Sequence, residues 1–162
     1  DGVMTWDGAM VWASQLTYGG FDDWRLPKTI QPDSSCSHQY AGGLGYFSGC
    51  TGSELGHLFN VDLGGNPGES ILTTHNANLS KFDNVYANFY WSETEYPNQI
   101  NQAWNFNMGS GYQYADYKFD LFRYSWAVRD GDVAAIPEPE TYVMFLAGLG
   151  LVGVAIRLGR RN

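Results

Sequence analysis

Ala103-Trp104-Asn105-Phe106-Asn107-Met108-Gly109-Ser110-Gly111-Tyr112-Gln113-Tyr114 reads as a β-hairpin. Trp104, Phe106 and Met108 alternate with Asn105 and Asn107, the period of a strand with one apolar and one polar face. Gly109-Ser110-Gly111 has the composition of a turn that needs positive φ, and Tyr112-Gln113-Tyr114 resumes the alternation. Upstream, Phe89-Tyr90-Trp91-Ser92 is strand-like. Downstream, Tyr124-Ser125-Trp126-Ala127-Val128-Arg129 is expected to be a closing strand before Asp130-Gly131-Asp132.

The N-terminal half has the helical period instead. Thr5 is a favourable N-cap, followed by Ala9, Met10, Ala13 and Leu16 at helical spacing, with Asp7 in the first turn and Gly19-Gly20 as the expected stop. Phe21-Asp22-Asp23-Trp24-Arg25-Leu26-Pro27 follows as an extended segment, because Pro27 disfavours helix before it. Residues 28–50 show no period and read as a long loop. Thr51-Gly52-Ser53-Glu54 has the form of a capping box for a second short helix, with Leu55, Leu58 and Phe59 on its buried stripe and His57 at the surface. Two short helices followed by a run of mostly antiparallel strands make an α+β domain.

Composition narrows the function. The chain has 162 residues, 16% of them aromatic, and a formal charge of −8. From Pro137 onward three arginines face Glu138 and Glu140, so the preceding residues carry all the excess acid. An acidic body repels phosphate backbones, which argues against nucleic acid as a partner. Cys36 and Cys50 are the only cysteines. In an exported chain such a pair reads as one disulfide stapling the loop; two free buried thiols are the alternative, and zinc lacks a second ligand pair. The chain starts at Asp1 without a leader, as expected after signal removal or in a fragment.

The end of the chain changes character. Pro137-Glu138-Pro139 leads into an apolar run from Tyr142 to Ile156, closed by Arg157, Arg160 and Arg161. As a helix this run covers about 22 Å, short for a bilayer but feasible when arginines snorkel and the bilayer thins. The arginines are expected on the cytoplasmic side, leaving the acidic domain outside.

Two resemblances follow from these residues. Pro137-Glu138-Pro139-Glu140, the apolar segment and the Arg-rich end together resemble a PEP-CTERM sorting signal over residues 137–162. The resemblance implies an exosortase as partner, with Pro137, Glu138 and Pro139 as the recognised motif. It further implies export in a Gram-negative cell, transient inner-membrane anchoring through a short transmembrane helix, then cleavage. The expected destination is the cell surface or the extracellular matrix of an exopolysaccharide-producing biofilm.

Residues 1–132, joined to that signal by a linker at 133–136, resemble the Lcl C-terminal domain family. The resemblance rests on Thr5-Trp6, Gly20 through Pro27, Tyr90-Trp91-Ser92-Glu93-Thr94-Glu95-Tyr96, Ala103 through Phe106, and Trp126-Ala127-Val128-Arg129. It implies kinship with the C-type-lectin-like fold shared by formylglycine-generating enzymes. Relative to the family pattern, residues 28–50 are an elaboration. The usual first strand ahead of Thr5 is expected to be missing, as if the domain were truncated at its N-terminus.

No catalytic residue is assigned. The formylglycine-generating relatives need late cysteines, and none follows Cys50; His38, His57 and His75 show no partner pattern. The expected role is a non-enzymatic module for polysaccharide, because exposed aromatic rings stack on sugars while Asn, Asp and Glu bind hydroxyls. The ligand candidates are Trp91, Glu93, Glu95 and Asn98, with Tyr112, Tyr114 and Tyr117 on the hairpin. Trp24, Trp91, Trp104 and Trp126 also sit inside family motifs, where core packing is the plainer reading. Arg25 and Arg129 are expected to pair with nearby carboxylates. No cofactor is required; calcium is the one option, through oxygen ligands from Glu93, Glu95, Asn98, Asp116 and Asp120. The alternative role is a self-associating matrix or filament component without a specific ligand.

Overall fold

The computed structural model describes residues 2–39, 47–97, 99–119 and 122–131, and the chain divides into two compact units, Asp1–Arg129 and Asp130–Asn162. Pro137, Glu138, Pro139, the expected C-terminal helix and Arg157, Arg160 and Arg161 lie outside the described residues, as do Asn98 and Asp120. Among the described residues, no helix is long and apolar enough to cross a membrane.

The first unit is α+β. Its elements are β1 (Val3–Met4), α1 (Trp6–Ser14), β2 (His38–Gln39), β3 (Phe47–Ser48), α2 (Glu54–His57), a π-helical turn (Leu58–Asp62), a 3-10 helix (Ala77–Lys81), β4 (Phe89–Glu95), β5 (Gln102–Asn107), β6 (Tyr112–Tyr117) and β7 (Arg123–Tyr124). One sheet runs in the order β1-β7-β4-β5-β6-β3-β2. Neighbouring strands are antiparallel except β4 and β7, which meet in parallel at Tyr90 and Tyr124. A short strand, β1, does stand ahead of Thr5, paired with β7.

Strand alternation gives each sheet face its own core. Tyr90 and Phe106 are register partners, and they pack with Leu55, Phe59, Leu63 and Ile71 from α2 and the segment after it, and with Met108 just after the end of β5. Trp91, one residue on, packs with Ala103, Leu26 and Trp6, Ala9 and Ala13 of α1. Thr5 caps α1, its Oγ1 accepting from Gly8 N at 3.4 Å. The indole of Trp6 donates to Ser92 O at 2.8 Å and that of Trp91 to Met4 O at 2.9 Å, so both rings are buried with their polar atoms satisfied.

The structure corrects several expectations. The hairpin's polar face is covered: Asn105 is fully buried, its Nδ2 donating to Asp116 Oδ2 at 2.9 Å, which also accepts from Arg123 at 2.9 Å. β5 lies centrally in the sheet, and the buried amide is held there through its Nδ2, which donates to a charged partner, while its Oδ1 has no hydrogen-bond partner among the described residues. The second helix is capped at Ser53, not Thr51. Glu54 turns instead to Arg25, with two contacts of 2.7 Å, and accepts from Lys28 N at 2.6 Å. Gly19 and Gly20 do not stop α1, which ends at Ser14. The closing strand is only Arg123–Tyr124; the chain then leaves the sheet until Val128 bridges Arg25.

Cys36 and Cys50 form a disulfide. The loop it closes is not wholly irregular, because β2 and β3 extend the sheet beyond β6. Buried Asp33 fastens this loop to the start of α2, accepting from Ser35 N at 3.0 Å and Ser53 N at 3.1 Å. Two glycines pinch the buried Phe59 ring: a Cβ on Gly65 would lie 2.6 Å from its Cε1, and one on Gly111 2.5 Å.

Candidate functional site

Where β7 ends, the departing chain opens a cleft of about 670 Å³ on the Tyr90 face of the sheet, within the usual range for small-ligand sites. One wall begins at Tyr18-Gly19-Gly20-Phe21. Gly19 and Gly20 sit at φ 64° and 83°, while Tyr18 and Phe21 exchange both backbone hydrogen bonds, at 3.0 and 3.1 Å. Two successive positive φ values are what a tight primed hairpin turn needs, and glycine adopts them without a Cβ clash. The turn carries Tyr18 into solvent, 70% exposed. It also turns two carbonyls toward Trp24, whose indole Nε1 donates to Phe21 O at 3.2 Å and Tyr18 O at 3.3 Å. Trp24 and Tyr18 then meet edge to face, 6.1 Å apart.

Most of the rest of the lining comes from β4, β7 and the segments that flank them. Tyr86 stacks on Tyr124 at 4.6 Å with 16° between the ring planes. Tyr124 lies 5.5 Å from Tyr90, and Trp126 lies 5.7 Å from Tyr90. Tyr90 is buried and its hydroxyl accepts from Tyr86 N at 2.9 Å. Burial pushes its phenol above the ordinary value, outweighing the opposite pull of that hydrogen bond. Asp83 and Asn84 line the same cleft. Asn84 has φ 57°, a left-handed conformation that asparagine tolerates better than most residues.

Trp24 therefore lines a cleft, where the sequence pointed to the core, and Trp126 does both, packing its half-buried ring on the core around Tyr90 while lining the cleft. Tyr18, Tyr86, Tyr124, Asp83 and Asn84 carried no signal of their own. They are scattered in sequence and meet only through the sheet and two tight turns.

The sequence-derived candidates fall elsewhere. Trp91 is 0% exposed under α1, so its ring offers no face to a sugar; this corrects its place among the ligand residues. Glu95 pairs with Lys118 Nζ at 2.8 Å, and that ammonium also sits 4.3 Å over the Trp6 ring. Glu93 lies 3.8 Å from Lys28 Nζ. Tyr114 is half-buried, 5.6 Å from Phe89 and 6.4 Å from Tyr112, and burial raises its phenol. Tyr117 is exposed at the end of β6. The register puts Gln113 opposite Phe106, so Tyr114 lies on the sheet face away from the cleft.

Each described carboxylate of the calcium set thus faces a cation. Among the described residues, the metal-ligating cluster is Asp33, Cys36 and Cys50, and its two sulfurs are spent in the disulfide. Arg25 and Arg129 behave as the sequence indicated, Arg25 binding Glu54 and Arg129 gripping Asp23 at 2.8 and 2.9 Å. None of the three histidines lines the cleft; His57 Nε2 lies 3.7 Å from Asp62 and His38 Nδ1 3.3 Å from Ser37 Oγ.

A family model for the Lcl C-terminal domain matches residues 1–129. The chain belongs to that family. A PEP-CTERM protein-sorting motif matches residues 135–161, marking the protein for recognition by an exosortase and export to the cell envelope or surface. No curated protein and no solved structure matches the chain. In this Lcl C-terminal domain the aromatic cleft is thus assigned from its own geometry alone.

Proposed function

We propose that the Lcl C-terminal domain of this chain is a non-enzymatic polysaccharide-binding module, displayed at the surface or in the extracellular matrix of a Gram-negative cell after exosortase processing. The observation that carries the reading is the cleft in which Tyr18, Trp24, Tyr86, Tyr124 and Trp126 converge beside Asp83 and Asn84. Aromatic faces stack on the apolar faces of pyranose rings, and neighbouring amide and carboxylate groups bind hydroxyls. The hydrogen bonds to Trp24 and the Tyr86–Tyr124 stack hold these rings in place beforehand, which lowers the ordering cost of binding. No catalytic step and no cofactor belong to this role. An α+β unit with helices on both faces of one sheet is also compatible with a C-type-lectin-like ancestry. Before processing, the apolar tail would anchor the chain in the inner membrane.

Pull-down of the full chain on insoluble polysaccharides, with and without calcium, tests the reading. Retention that is lost in a Trp24→Ala, Tyr86→Ala double variant supports it, and no retention on any polysaccharide removes it. The second reading, a self-associating matrix component, is favoured by Ile100, Phe119 and Phe122, each more than half exposed. Concentration-dependent growth in light scattering would support it; a strictly monomeric chain would end it.

A further inference from the structure

The lining of the cleft is chemically one-sided. Among the described residues it includes no lysine, arginine or histidine, and its ionisable side chains are those of Asp83 and the tyrosines. The rings of Trp24, Tyr86 and Trp126 belong to this lining, and aromatic rings carry a quadrupole whose negative face attracts ammonium groups. Asp83 adds a carboxylate to the same lining, and the net charge of the whole chain, −8, has the same sign. Both features repel a carboxylated or sulfated glycan and attract a protonated amine.

From this we propose, building on the glycan-binding reading, that the cleft selects amino sugars with free amines, a deacetylated hexosamine glycan. Asp83 is the ionic partner of the ammonium group and the aromatic faces are its π partners. Uronic-acid and sulfated polymers are excluded by the same charges. The cationic glycans that fit are also those most attracted to an acidic protein as a whole, so the test must separate the cleft from the background charge.

The experiment is calorimetric titration of the full chain in detergent micelles, at mildly acidic pH and moderate salt, with three short oligosaccharides of equal length. The probes are a glucosamine oligomer, its N-acetylated counterpart and a galacturonate oligomer. The glucosamine oligomer should bind about five- to tenfold tighter than the N-acetylated one, and galacturonate should be the weakest. Asp83→Asn should bring the amine-to-acetyl ratio close to one, whereas Glu69→Gln, which removes the same charge outside the cleft, should leave the ratio intact. Equal affinity for the amine and acetyl forms, tighter binding of galacturonate, or a ratio lowered equally by both variants overturns the proposal while leaving glycan binding standing. If none of the three oligomers binds, the glycan reading falls and this inference falls with it.

Discussion

At the scale of single residues, the fold depends on a few polar groups tied down at long range. Arg25 links the extended segment before Pro27 to α2 through its double contact with Glu54, which also accepts the Lys28 amide. Charge-assisted bonds of this kind contribute about 1.5–3 kcal/mol, so Glu54→Gln should lower stability by roughly that amount in urea unfolding. Tyr90 supplies a pH signature. Burial raises its phenol above the ordinary value near 10, so the folded protein holds the proton more tightly than the unfolded chain does. That contribution to stability is intact below pH ~10 and is lost as the pH rises through the folded value. Tyr90→Phe should cost about 1 kcal/mol at neutral pH, from the orphaned Tyr86 amide. It should also flatten the alkaline fall in stability, leaving the smaller slope due to Tyr114, whose phenol is raised too. Local chemistry of this sort is partly legible in the sequence. The Thr5 cap and the ion pairs of Arg25 and Arg129 rest on residue type and near neighbours. Glu54 was misassigned because a capping box and a guanidinium compete for the same carboxylate, and only the tertiary structure places Arg25 within reach.

At the scale of elements, the alternation of Trp104 to Met108 revealed the hairpin but not that its polar side is covered. Period reports which residues share a face; what lies over that face depends on elements far away in sequence, here the network of Asn105, Asp116 and Arg123. The turn into β6 is under tight steric control. Gly111 has φ 69° and its absent Cβ would lie 2.5 Å from the Phe59 ring. Gly111→Ala combines a left-handed alanine, costing about 1–2 kcal/mol, with overpacking worth about 1–3 kcal/mol, and should lower the melting temperature more than any surface Gly→Ala change. Removing the disulfide acts on another part of the chain. A Cys36→Ser, Cys50→Ser variant should lose about 3 kcal/mol, the loop-closure value for a 14-residue separation. Trp24 should keep its native fluorescence in that variant, because its hydrogen-bond partners belong to the Tyr18–Phe21 turn and not to the stapled loop.

At the scale of the whole molecule, the aromatic content is split between two uses that sequence alone did not separate. Trp91 and Trp104 are buried in the sheet, whereas Trp24 lines the cleft and Trp126 lines it from the edge of the core. All four lie in motif-like, Trp-centred stretches, so composition gave no way to sort them. The sorting comes from β7 ending after two residues, which releases Ser125 to Ala127 from the sheet and opens the space that Tyr18 and Tyr86 frame. The sorting motif at residues 135–161 accounts for export, and the cleft is where the proposed glycan binding of the exported domain is tested. The six tryptophans give the direct test, through the indole N–H signals of the full chain in detergent micelles titrated with amino-sugar oligosaccharides in heteronuclear NMR. Binding in the cleft predicts that the Trp24 and Trp126 indole signals move together and saturate, while those of Trp91 and Trp104 stay in place. Binding with Trp24 and Trp126 unmoved, or no movement of any indole at saturating oligosaccharide, would contradict it.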